Sequence, residues 1–456
     1  MAPAAELRFD LTPTTEVADL TGPATGISRL VARPPTFTTA TVIDTADRRL
    51  LNWGVELFRI AETGQWVLLA PGWAPVAPET RSPQAEDDLP GEMAAVLVPF
   101  RRGGILGPQF AVAVERRRFT LIGEDGGEVG DLVDDRVAAA DFDNVETRFR
   151  IVTVRGVADQ SVRAAIGDAF AAAGAVGGGV ELSLAGRLGL LRPTRLRLTG
   201  RSPVEDFVRA NLADRWRRLL LLDLSARASD DDGELRAGVQ ALRGDLAGLG
   251  PVLDEGWSAQ AVQVVETALA DNRPLHRSER WLRILDLLDQ ATTAPPLGGV
   301  AGRLTGPVLA QELEAVGQIL IDHCRTLEPY SEDPRWARAH QVAGRAVALS
   351  SLARDVFGKP AKRLRRSLRP ILNALAETVR PDPATLSHDL HGLTSTEVFE
   401  AGRAYERAMM SVDYARVALV RNWPESFATL RRAMIRPRAP HTPLMVPTPD
   451  LPKQAR

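Results

Sequence analysis

The spacing of apolar positions changes near residue 200. Before it, apolar and polar residues alternate, the period of a half-buried strand; after it, they recur every three or four residues, the period of a helix with one buried face. Alternation predicts strands over Thr41-Val42-Ile43-Asp44-Thr45, from Gly54 to Ile60, from Trp66 to Leu69, and over residues 147–154. Two further strands, Arg116 to Ile122 and Glu128 to Val133, flank Glu124-Asp125-Gly126-Gly127, a hairpin signal because glycine supplies the positive φ such turns need. An Ala-rich helix is expected over 158–174. The stretch from Gly177 to Thr199 is loop-like, except that Val180 to Leu184 alternates like a strand.

Ser202-Pro203-Val204-Glu205 then has the form of a capping box, with Ser as cap, Pro in the first turn and Glu reaching back. Leu235, Val239, Leu242, Leu246 and Leu249 follow at spacings of 4, 3, 4 and 3, and Leu309, Leu313, Val316 and Leu320 repeat the pattern. Thr394-Ser395-Thr396-Glu397 caps another long helix running through Tyr405 and Tyr414. The helical pattern recurs in two blocks about residue 300, which suggests an internal duplication. The expected class is therefore α+β with several domains: a β-rich domain over 1–198, an all-helical domain over 199–435, and a Pro-rich tail over 436–456 whose composition predicts disorder.

Composition changes this picture in few places. The chain is 45% hydrophobic and 25% charged with a formal net charge of −2, so no global imbalance points to nucleic acid or a membrane. Any anion-binding surface must be built by local clustering. Only three of 56 basic residues are lysine, Lys359, Lys362 and Lys453, so residues 1–358 offer no lysine chemistry. The single cysteine, Cys324, excludes an intramolecular disulfide and reads as a core thiol. No 18-residue apolar run occurs, and the segment from Met1 to Glu6 lacks a basic and then apolar start, so a cytoplasmic protein without membrane insertion is expected. His388-Asp389-Leu390-His391 has no further ligands within reach in sequence, and the glycines from Gly174 to Gly179 lack the Gly-Lys-Ser/Thr of a phosphate loop.

Clustering does occur in the second half. Arg236 and Arg243 are seven apart, as are Arg338 and Arg345, which places each pair on one helix face about 10 Å apart. Between Asp355 and Glu377 there is no acid, yet Lys359, Lys362, Arg363, Arg365, Arg366 and Arg369 fall there. Leu364, Leu368, Ile371 and Leu375 supply a buried stripe for the same helix, Pro360 suits its first turn, and Pro370 is expected to kink it. Guanidinium forks suit phosphate oxygens, so these helices are candidate anion-binding faces.

The order of segments resembles a CYTH domain followed by a CHAD domain. The first match runs through residues 43–51, Gly54-Val55-Glu56-Leu57-Phe58-Arg59, residues 66–72, and Asp134-Asp135-Arg136-Val137. The resemblance implies a closed antiparallel β-tunnel or barrel that binds triphosphate with inward basic residues and holds a divalent metal with inward glutamates. Here its Glu-x-Glu-x-Lys element is Ala4-Ala5-Glu6-Leu7-Arg8, its second basic motif survives as Arg59, and its lysine after Trp-x-Leu is Leu68. The strand expected to alternate glutamates carries Arg148, Arg150 and Val152. With those carboxylates replaced, no catalytic and no metal-binding residue is assigned. Arg8, Arg59, Arg116, Arg118, Arg148 and Arg150 stay as anion candidates. The CHAD resemblance, over about 200–425, implies a duplicated helical bundle that binds inorganic polyphosphate. Arg236 and Arg243 fall on its arginines, whereas its signature histidine is Gly233 and two basic positions are Gln240 and Ala241; Arg338, Arg345, Lys359, Lys362, Arg363 and Arg366 fall in the second repeat. The expected function is non-catalytic binding of inorganic polyphosphate or a related phosphate polymer, with no cofactor and no specific nucleic acid. Two alternatives stand beside it: a scaffold for protein partners without a phosphate ligand, and a metal-dependent triphosphatase, in which alone Mg²⁺ would enter.

Overall fold

A computed structural model of the protein describes residues 6–435, apart from residues 17, 78, 84, 86, 144, 178–182, 192–196 and 381–393. Its contacts divide the chain into two compact units, 1–193 with 220–232, and 194–219 with 233–456. His388 to His391 and the tail from Arg436 lie outside the described residues.

The first unit is built on one antiparallel sheet. Its strands are β1 (Leu7–Leu11), β2 (Ile27–Ala32), β3 (Thr36–Thr45), β4 (Glu56–Ile60), β5 (Trp66–Leu69), β6 (Thr80–Arg81), β7 (Leu106–Gly123), β8 (Glu128–Asp141), β9 (Glu146–Arg155) and β10 (Val176–Gly177). The pairing order is β10-β1-β9-β8-β7-β3-β4-β5-β6, with β2 also on β7. Among the described residues no ladder joins β10 to β6, so these pairings make an open sheet where the resemblance implies a closed tunnel. The β7–β8 turn is the one expected: Gly126 sits at φ 82°, and Gly127 N–H donates to Asp125 Oδ1 at 2.9 Å.

Alternation sends consecutive residues of each strand to opposite faces. One face buries Phe9, Leu11, Leu121, Leu132, Val152 and Val154 against Ile166 and Phe170 of the helix Gln160–Ala172, with Phe9 stacked on Phe170 at 4.3 Å. The opposite face buries Val42, Phe110, Val112 and Ala139 under Leu184 and Ala185 of the short helix Leu184–Arg187. Ser183 caps that helix by accepting from Gly186 N–H at 3.2 Å, so this part of the expected loop is helical. A further helix, Gly91–Arg101, falls where the chain showed no clear period. In order, these three are α1, α2 and α3. Asp44 is buried and accepts N–H bonds from Leu50 and Leu51, both at 2.9 Å, which fixes the turn after β3. Burial raises its carboxyl above the ordinary range despite those bonds.

Helices follow: α4 (Val204–Ser229), α5 (Gly233–Leu249), α6 (Glu255–Leu269), α7 (Glu279–Thr293), α8 (Thr305–Arg325), α9 (Asp333–Leu352), α10 (Arg354–Phe357), α11 (Lys359–Ala376) and α12 (Ser395–Ala433). In the second unit α9 packs against α5, α8 and α11. Glycine lets α5 and α9 meet closely, since a Cβ on Gly248 would lie 2.9 Å from the Leu349 nitrogen. The stripes Leu235 to Leu249 and Leu309 to Leu320 are buried, as is Cys324, whose thiol burial pushes up to about 12. Thr394 and Glu397 form the expected capping box. Ser202 and Glu205 do not: Glu205 Oε1 accepts instead from Gly302 N–H at 2.6 Å, and Ser202 Oγ from Thr199 N–H at 3.0 Å. The start of α4 is tied to the start of α8, because Thr305 N–H donates to the Ser202 carbonyl at 2.9 Å. Among the described residues no helix is long and apolar enough to cross a membrane.

Candidate functional site

Within the sheet unit, strand register gathers five arginines on one concave face. Arg118, Val133, Thr153 and Arg8 form one row across β7, β8, β9 and β1. Arg116, Asp135 and Ile151 form the row beside it, and Thr120, Asp131 and Arg155 the row on the other side. Arg33, just past β2, reaches Thr120 Oγ1 at 2.8 Å. Together they line a pocket of about 320 Å³. Most of its charge is matched. Arg116 holds Asp135 by two bonds of 2.7 and 2.8 Å, which raises the arginine further above its ordinary range. Arg155 and Arg8 face Glu6 at 3.1 and 3.6 Å, and Arg33 lies 3.9 Å from Asp131. Arg118 is exposed, and its side chain has no hydrogen bond or ion pair among the described residues.

This arrangement suits an anion better than a cation. A divalent metal needs carboxylates free to ligate it, and Glu6, Asp131 and Asp135 are each engaged by arginine. Among the described residues no three His, Cys, Asp or Glu side chains come together as a metal site.

Of the six sheet arginines expected at an anion site, three meet there: Arg8, Arg116 and Arg118. Arg59 lies elsewhere, bonded to Asp87 at 3.1 Å and over the Trp66 ring at 5.5 Å. Arg148 is exposed and paired with Glu146 at 2.9 Å. Arg150 corrects the expected register. The concave phase of β9 is Ile151, Thr153 and Arg155, while Val152 is core on the other face. Arg150 is buried there, bonded to Asp134 at 2.6 and 2.8 Å and to the Thr15 carbonyl. A one-residue shift exchanges the faces of a strand, and β9 is apolar on both, so its pattern left the choice open. Arg33 and Arg155 were missed; Arg155, two residues past Thr153 in the alternation, was recoverable once that phase was known.

The helical unit presents a different surface. On α11, Ala361, Leu364, Leu368, Ile371 and Leu375 are buried. Lys359, Lys362, Arg363, Arg366 and Arg369 are exposed, and Arg365 is half-buried. None of these six side chains has a hydrogen bond or ion pair among the described residues. Lys359, Lys362, Arg363 and Arg366 stand at offsets of 0, 3, 4 and 7, a strip on one side of the helix. The helix continues through the exposed Pro370. Gly358 N-caps it without a side-chain acceptor, and its first turn holds no acid.

The other helical arginines are differently placed. Arg236 donates to the carbonyls of Leu269, Asp271 and Arg273 at 3.3, 2.9 and 2.7 Å, pinning the end of α6. Arg243 meets Glu266 at 3.2 Å. Arg338 is exposed without a partner among the described residues. Arg345 is half-buried, its Nε lacks a hydrogen bond, and its charge acts on Glu312. Burial raises the Glu312 carboxyl, and Arg345 and Arg303 partly oppose that rise. Comparison with protein-family models and with curated protein sequences returns no match.

Proposed function

We propose that the protein binds inorganic polyphosphate or a related phosphate polymer without turning it over, through the basic strip of α11. One observation carries this reading: the cations of α11 are unmatched, and they stand at the wrong end of the helix for stability. The N-terminus of a helix carries a partial positive charge that favours acids and disfavours Lys and Arg. Lys359, Lys362 and Arg363 crowd that end, and the last turn has no basic residue. An anion laid along the strip would be attracted by the side chains and by the helix terminus together. The strip from Lys359 to Arg369 runs about 15 Å, the span of several linked phosphates.

The test is a titration of the full chain and of Lys362→Glu/Arg363→Glu/Arg366→Glu with long-chain polyphosphate. All three positions are exposed, so circular dichroism and the thermal melt should show an intact fold. Affinity should fall at least about tenfold, or about 1.4 kcal/mol. A folded variant with unchanged affinity would remove α11 from the site and favour a protein scaffold.

The concave face of the sheet supports a second reading, carried by Arg118. A short polyphosphate there would find one unmatched guanidinium and four matched ones. Weaker binding than at α11 follows, because each matched arginine must first give up its carboxylate.

A further inference from the structure

A groove of about 640 Å³ lies between α8 and α12 in the helical unit. Ile321 lines its α8 side, with Glu314 near it; Trp423, Phe427 and Arg431 line its α12 side, one turn apart, and Met434 closes one end. Gln318 and Arg325 also line the α8 side, so the aromatic wall is that of α12, where Trp423 and Phe427 are half-exposed. The Trp423 and Phe427 rings lie 6.4 Å apart, and the Arg431 guanidinium stands over Phe427 at 5.8 Å.

Two observations indicate what covers it. The first is how the chain leaves α12. Met434, the C-cap, has φ −56° and ψ 135°, the polyproline II region. It is seated against α8, since a Cβ on Gly317 would lie 3.1 Å from Met434 Cε. The chain therefore exits at the mouth of the groove, already extended. The second is the sequence that follows. Residues 436–456 hold six prolines, and within them Pro443-Leu444-Met445-Val446-Pro447 is wholly apolar. Proline-rich segments dock on aromatic grooves in the polyproline II form, which they hold in advance and so lose little entropy on binding. The lengths agree. From Trp423 to Met434 the groove spans about 16 Å at 1.5 Å per residue, and five residues at about 3.1 Å each extend as far. Residues 435–442 leave room for the chain to reverse.

We propose that Pro443–Pro447 docks on this groove in the same chain, as a polyproline II segment packed on Trp423, Phe427 and Ile321. Tethering by so few residues gives an effective concentration in the millimolar range, so a weak contact suffices.

The test places a nitroxide on Thr448→Cys in the full chain and reads its mobility by electron paramagnetic resonance. Cys324 is buried, with its thiol pushed up to about 12, so labelling goes to the new cysteine. The expected spectrum contains a broad, slow-motion component that is unchanged on roughly hundredfold dilution. It should collapse to fast motion in Trp423→Ala and in Phe427→Ala, both half-exposed and each checked for folding by circular dichroism. Fast motion in the unaltered groove would overturn the proposal. Slow motion that dilutes away would assign the groove to the tail of a second copy, and slow motion surviving both substitutions would place the tail elsewhere; either result also overturns it.

Discussion

Arginine does two opposed jobs in this chain, and burial with partner separates them. At Arg150 the guanidinium is nearly inaccessible and locked to Asp134 across the β8–β9 ladder. At Arg363 it stands in solvent with no ion pair among the described residues. The acid-free run around Arg363 is visible in the sequence, whereas the partner of Arg150 lies 16 positions away and is brought near only by the strand pairing. A buried ion pair is costly to break and of little net value as a pair. Arg150→Met should therefore destabilise the sheet unit by about 3–5 kcal/mol, by leaving buried Asp134 only the longer contact with Arg136 at 3.7 Å. Adding Asp134→Leu should recover most of that loss, since both buried charges are then gone and Arg136, which is partly exposed, can turn to solvent. Urea unfolding of the parent, Arg150→Met, Asp134→Leu and the double variant reads this directly, and polymer affinity should not change in the double variant. A single variant as stable as the parent would show that the pair is not buried in solution.

At the scale of elements, α11 makes a sharper statement. Its charges oppose its own stability, so replacing them should reveal a trade between folding and binding. Lys359→Glu/Lys362→Glu puts acids in the first turn, where each gains about 0.3–1 kcal/mol from the helix terminus at low salt. It also turns two repulsive i,i+4 pairs, Lys359 with Arg363 and Lys362 with Arg366, into attractive ones. The variant should melt higher than the parent at low salt, with the gain shrinking as salt rises, while polyphosphate affinity falls. A lower melting temperature would contradict the dipole argument. Elements of this kind were the legible part of the chain: α11, α5 and α8 declare their buried stripes by spacing, and α12 declares its start through Thr394 and Glu397. Local signals failed where a distant group outbid them. Glu205 satisfies the pattern of a capping box, yet Gly302, 97 residues on, takes its carboxylate. The four-residue helix α3 lacks the turns needed to establish a period, and α1 hides its own in an unbroken apolar run from Met93 to Phe100. The phase of β9 was hidden because both its faces carry apolar residues, and with it went the identity of the concave cluster.

The whole molecule carries a formal net charge of −2, so its mean field repels a polyanion weakly and only local order can attract one. Two cationic surfaces with different degrees of matching then make different demands on salt. Binding along α11 should release counterions from the polymer in proportion to the cations engaged. About five contacts give a slope of about −3.5 in log affinity against log salt, or roughly a hundredfold loss between 50 and 200 mM. At the concave face, matched arginines exchange one anion for another, so fewer ions are released and the slope should be near that of a single contact, about −0.7. Titrations of the parent, the α11 triple variant and Arg118→Glu over that salt range separate the two. Long-chain polyphosphate should lose its steep slope only in the triple variant. Tripolyphosphate, too short to use the whole strip, is the ligand for which Arg118→Glu should matter. A steep slope for the long polymer that survives the triple variant and falls with Arg118→Glu would move the principal site to the sheet, and a shallow slope in the parent would leave neither surface as a polymer site.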